Sequence, residues 1–102
     1  ERLQLIGIFN SDAGIVAKSV SDLETIVMML NAGHKDKQAQ EYMKISMESI
    51  GAQLGKTQLV NHELLVKLGL GGTVTKVPSV SELEKKMSVL DDIMQKNIKK
   101  LL

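Results

Sequence analysis

Apolar residues recur at alternating steps of four and three along three stretches of the chain. The first stretch runs Phe9, Ala13, Val16, Val20, Leu23, Val27, Leu30. The second runs Met43, Met47, Ile50, Leu54, passes through Thr57 and Asn61, and resumes at Leu64 and Leu68. The third runs Leu83, Met87, Leu90, Met94, Asn97, Leu101, with Ile93 and Ile98 widening the stripe. An α-helix returns to one face at this spacing, and the alternation of fours and threes describes the seam between helices packed with nearly parallel axes. The pattern predicts an all-α fold. Three principal amphipathic helices are expected at about 10–32, 37–69 and 79–102, in an antiparallel bundle or hairpin with coiled-coil-like seams and a loop at 70–78.

The punctuation agrees with those bounds. "GGTVTKVP" (residues 71–78) holds two glycines and the only proline, which biases Val77 away from helix. Gly69 suits the position just past a helix end, following "ELLVKL". "NAGHKDK" (31–37) is polar and carries a glycine, with Asp36 placed to cap the next helix. Ser79 followed by Glu82 reads as a capping box at the start of the last helix, and Ser21 followed by Glu24 as a second, where the first helix would start or kink. "ERLQLIGIFNSDAG" (1–14) reads as an extra short helix or as a strand. Helix is favoured, because a lone strand has no ladder to join.

The totals set limits on this picture. A chain of 102 residues makes one domain, 1–102, with one modest core. It is 43% hydrophobic and 25% charged, which is ordinary globular composition. With one Phe, one Tyr and no Trp, the core must be aliphatic and rich in the six methionines. The absence of cysteine excludes disulfides and thiolate metal sites. A net charge of +1 gives no bulk reason to expect nucleic acid or an anionic membrane, and no apolar run approaches the ~20 residues of a membrane span. The chain begins at Glu1 with no signal-peptide pattern, so a trimmed or excised piece in a cytoplasmic setting is expected.

"GAQLGKTQ" (51–58) looks like a phosphate-binding loop. Only three residues separate Gly51 from Gly55, where such a loop needs four before its Gly-Lys pair. What precedes it, "EYMKISMESI", has helical rather than strand spacing, so no nucleotide is expected to bind. Gly51 and Gly55 instead lie one turn apart on the second helix, where each costs about 1 kcal/mol relative to alanine. Close approach of a neighbouring backbone would offset that cost. The alternative is a break there into two shorter helices.

Other chemistry is sparse. His34 and His62 have no metal-ligand spacing and read as surface residues. None of the serines sits in a nucleophile elbow, and Asp91 and Asp92, about 100° apart on a helix, cannot face each other as an acid pair. No catalysis, cofactor or metal is expected. Lys85, Lys86, Lys96, Lys99 and Lys100 make the end of the last helix basic, but Glu82, Glu84, Asp91 and Asp92 nearly cancel them. Met28 and Met29 are consecutive, so one of them is a candidate for an exposed apolar contact. Asn61, with Thr57, falls on the seam of the second helix, where a buried amide fixes register or oligomeric state; alternatively the seam shifts to Leu59 and Val60.

These features predict a non-catalytic helical protein–protein interaction or oligomerisation module, with a protein partner and homo-oligomerisation. Its candidate contact residues are Met28, Met29, Gly51, Gly55 and Asn61. A second helix of about thirty residues would be ~50 Å long, more than a compact domain of this size needs, so part of its stripe is expected to meet another chain. The alternative is a small DNA-binding or DNA-packaging adaptor. The helical hairpin with "NHELL" (61–65) near the end of its second arm is faintly similar to the small terminase subunits of tailed phages, over about a third of the chain and without a specific motif.

Overall fold

A computed structural model describes the backbone of residues 2–101 and the side chains of 10–99; the seam positions Phe9 and Leu101, and Lys100, lie outside the described side chains. The fold is all-α. Helix α1 spans Arg2–Asn31, α2 Lys37–Leu54, α3 His62–Lys67 and α4 Val80–Leu101. Among the described residues there is no strand, so the ambiguous N-terminal stretch is helix from Arg2 onward. It is also not a separate element.

The first helix thus starts well before residue 10 and does not kink at Ser21. Its 30 residues rise about 45 Å, and they set the 50 Å long dimension of a molecule otherwise 22 by 19 Å. Ser19 donates to the Ile15 carbonyl at 2.9 Å and Thr25 to the Ser21 carbonyl at 3.2 Å. Both bonds run back along the helix, and the Ser21 position is not used as a cap. Burial of Val16, Leu23 and Ile26 on both sides of Ser21 holds the helix together; a cap worth about 1 kcal/mol cannot outweigh it.

The end of α1 follows local chemistry. Gly33 has φ +84°, the His34 amide donates to the Met29 carbonyl, and the Gly33 amide donates to the Leu30 carbonyl, each at 3.1 Å. This double closure satisfies carbonyls that the helix end would leave open, and its left-handed residue favours glycine. Three residues later the Asp36 carboxylate accepts from the Ala39 amide and starts α2. Such a short turn makes α1 and α2 an antiparallel pair.

The expected helix over 37–69 is two helices. The α2 ladder tightens at its end, with the Lys56 amide bonding to the Gln53 carbonyl at 3.1 Å and the Thr57 amide to the Leu54 carbonyl at 3.0 Å. The buried Thr57 hydroxyl also donates to Leu54, at 2.8 Å. Asn61 then accepts from the Leu64 amide at 2.8 Å and opens α3. Gly69, at φ +71°, closes α3 in the same way as Gly33 closes α1, through bonds from Leu70 to Leu65 and from Gly69 to Val66. Ser79 begins α4, accepting from the Glu82 amide at 3.2 Å and donating to the Glu82 carboxylate at 3.1 Å.

Helix α1 packs against both α2 and α4. The segment 55–79, with α3 in its middle, is tied to all three long helices. The Gln58 amide bonds to Asp12 of α1, the Val74 amide to Glu48 of α2, and Lys86 of α4 donates to the Leu68 carbonyl. Its apolar residues Val60, Leu65, Leu68 and Leu70 are buried with Val16, Leu23, Ile26, Met43, Met47, Ile50, Leu54, Leu83 and Leu90 in one core. Met43 and Met47 are wholly buried, and Met29, Met87 and Met94 pack on the same cluster. Flexible thioethers fill this aliphatic interior in place of aromatic rings.

Candidate functional site

Among the described residues no group of His, Cys, Asp and Glu could hold a metal ion. Asp91, Asp92, His34 and His62 are all exposed. Residues 51–58 form the end of α2 and the turn after it, with a helix, not a strand, preceding them. No described helix is long and apolar enough to cross a membrane.

One surface stands out on apolar exposure. On α2 the residues Met43, Met47, Ile50 and Leu54 face the core, and their neighbours Tyr42 and Ile45 face away from it, 55% and 63% exposed. Both line a groove between α1 and α2. Its two adjoining clefts, about 260 and 370 Å3, share Lys18, Asp22 and Ser49. Small side chains make the groove: Ser19 and Ser49 line one cleft, Ser46 and Ser49 the other. The Lys18–Asp22 ion pair, 2.9 Å and largely exposed, crosses the α1 side. A solvated pair one helical turn apart contributes only ~0.3–0.5 kcal/mol, so it can rearrange around a ligand at little cost.

Chemically the groove offers the exposed apolar side chains Tyr42 and Ile45, a floor that includes Ile15, Ile26 and Ile50, serine hydroxyls and one rearrangeable ion pair. Among its lining residues there is no nucleophile–base pair. No family model, characterised protein or solved structure matches the chain. Its own residues therefore carry the whole functional reading.

The structure does not bring the five sequence-predicted contact residues together. Met28 is 69% exposed and Met29 half-buried against the core, as expected of one consecutive pair on a helix. Both belong to the C-terminal end of α1, whereas Gly51, Gly55 and Asn61 belong to the far end of the α1–α2 hairpin. A Cβ at Gly51 would clash with the Leu70 carbonyl, standing 2.9 Å from its carbon. The close backbone approach is therefore real at Gly51, and it involves the chain after α3, not a crossing helix. Gly55 is an exposed helix C-cap with ordinary φ −64°, where a Cβ would meet the Gly51 carbonyl oxygen at 3.3 Å. Asn61 is exposed and caps α3, so it is not a buried seam amide; Val60 is the buried residue there.

Tyr42 and Ile45 were legible as a pair three apart lying off the 43–47–50–54 stripe. The stronger core stripe beside them masks the pair in the sequence. Asp12, Glu48 and Lys86 carried no local signal, because their partners are 46, 26 and 18 residues away.

Proposed function

We propose that this chain is a non-catalytic helical interaction module that uses the outer face of α2, and that its partner is a second copy of itself. The exposure of Tyr42 and Ile45 beside a groove of small side chains carries this reading. Ile45, Ser49 and Ala52 recur at steps of four and three on that face, with Tyr42 alongside. Small residues there let a second helix approach closely, while Tyr42 and Ile45 supply the apolar area. A two-fold pairing would set the same face against itself, and each copy would offer the other what it lacks. The earlier premise for self-association, a second helix of ~50 Å with Asn61 in its seam, does not survive, since α2 has 18 residues and rises only about 27 Å.

Magnitudes decide the kind of assembly. Fully burying an apolar side chain of this size gives roughly 1.5–3 kcal/mol, and four such side chains per pair give at most about 6–12. The loss of rotational and translational freedom opposes this with ~4–15 kcal/mol. The two are close, so the association is reversible and concentration-dependent. Sedimentation velocity across a dilution series tests it: the wild type is expected to pass from dimer to monomer, and Ile45→Glu to stay monomeric, with the melting temperature that the wild type shows at dilutions where it too is monomeric. A wild type that is monomeric at every concentration overturns the self-association. A dimer indifferent to Ile45→Glu overturns its placement on α2.

A DNA-binding adaptor finds less support. The basic end of α4 shares its helix with Glu82, Glu84, Asp91 and Asp92, and Lys86 is occupied by the Leu68 carbonyl. The helical hairpin that resembled small terminase subunits is interrupted after Leu54, so "HELL" starts a short helix of its own.

A further inference from the structure

At the other end of the bundle, a cleft of about 210 Å3 opens where the α1–α2 turn meets the chain entering α4. Its lining comes from the end of α1, the turn after it, α2 and the loop before α4. His34 and Lys35 come from the turn, Lys44 from α2, and Lys76 from the loop before α4. Leu30, Met43 and Val77 form its apolar base, and Gln40 and Thr75 complete the wall. Three lysines line it and no carboxylate does.

This concentration of charge was invisible in a chain of net charge +1, because Lys35 and Lys76 are 41 positions apart. Of the nearby acids, Asp36 accepts from the Ala39 amide, and Glu41 lies 3.6 Å from Lys44 as a loose, solvated pair that an entering anion must compete with for this one lysine. Lys44 is only 25% exposed at its side chain, so it is less mobile than a fully solvated lysine and forms part of the cleft wall. Lysines converging on a concave site with an apolar base focus a positive potential there, and an anion entering it gains more than at a lone surface lysine.

We infer that this cleft binds a phosphate group, held by Lys35, Lys44 and Lys76. Its size selects the class of ligand. Pockets for whole organic ligands run to ~300–1,000 Å3, so this one fits a single tetrahedral anion or the phosphorylated end of a larger molecule. Lysine ammonium groups suit such a ligand as mobile point charges that each aim a proton at one oxygen. The site lies on a different side of α2 from Tyr42 and Ile45, since Gln40 and Lys44 are roughly half a helical turn from those residues. The inference therefore stands or falls separately from the dimer.

The test is a nitrogen-15 amide titration of the full chain with inorganic phosphate, with chloride at matched ionic strength as control. Shifts confined to residues 34–44 and 75–77, saturating with phosphate and absent with chloride, are expected. The variant Lys35→Gln/Lys76→Gln, whose residues are both exposed, should bind about tenfold more weakly or worse, while Lys18→Gln/Lys96→Gln should bind as the wild type does. Equal shifts with chloride overturn the proposal, as does loss of binding in both double variants alike or phosphate shifts spread over Lys18, Lys56, Lys67 and Lys96. A parallel titration with a short DNA duplex identifies the source of the group. The same residues shifting, with a salt slope that falls by about one per lysine removed, points to a polynucleotide; response to free phosphate alone points to a small ligand.

Discussion

Replacing the Gly51 hydrogen by a methyl group places a carbon inside contact distance of the Leu70 carbonyl, and neither α2 nor the Schellman-closed end of α3 can retreat without breaking its own hydrogen bonds. Gly51→Ala should therefore destabilise by roughly 1–3 kcal/mol, overriding the ~1 kcal/mol that alanine gains in a helix interior. Gly55→Ala, at an exposed C-cap where the nearest contact of a Cβ is the Gly51 carbonyl oxygen at 3.3 Å, needs only a slight shift and should change stability by no more than about 0.5 kcal/mol. Urea denaturation of the two variants checks both, and equal midpoints would place the tight contact elsewhere. At Asn61 the sign is reversed from what a seam position implies. Asn61→Leu removes the acceptor of the Leu64 amide and should cost about 0.5–2 kcal/mol, where a buried seam amide would have been improved by leucine. The caps at Asp36 and Ser79 and the closing glycine at Gly69 were all legible in the sequence, because a cap and its recipient lie within four residues. Asn61 obeys the same rule, but a stripe that continued through it disguised it as core.

The elements show where local chemistry prevails over periodicity and where it does not. In α1 the Ser21–Glu24 pair offers a start signal, and the helix ignores it because apolar burial continues on both sides. Between α2 and α3 the apolar spacing continues, and the helix stops anyway. Gly55, the Thr57 hydroxyl and the Asn61 cap all act within seven residues there, and Asp12 captures the Gln58 amide from outside. Three of those four contributions are local. The fourth needs the fold, since Asp12 is 46 residues from its partner. Asp12→Ala should therefore loosen the 55–61 turn while leaving α4 intact, costing about 1–3 kcal/mol because the Gln58 amide loses its acceptor. Amide hydrogen exchange is the measurement: faster exchange concentrated at Gln58 and its neighbours is expected. Uniform acceleration along the chain would mean that Asp12 supports the whole core and not this turn.

At the scale of the molecule, all-α class, the hairpin of the first two helices and the aliphatic, methionine-filled core followed from pattern and composition. The order of importance did not. The longest helix is α1, flanked by α2 and α4, and the segment 55–79 is pinned to each of them by a side chain from outside the segment. Those pins leave the outer face of α2 open, with Tyr42 and Ile45 exposed on it. A distance between copies shows whether this face meets its counterpart in a second copy. The chain has no cysteine, so Gln53→Cys, at the exposed end of the groove, takes a single spin label. Dipolar spectroscopy on the labelled protein should give one narrow distance of about 20–35 Å, the range imposed by two helices packed 8–10 Å apart, and Ile45→Glu in the same chain should abolish it. A background-only signal at concentrations where the protein sediments as a dimer, or a distance that persists with Ile45→Glu, would rule out pairing through this face.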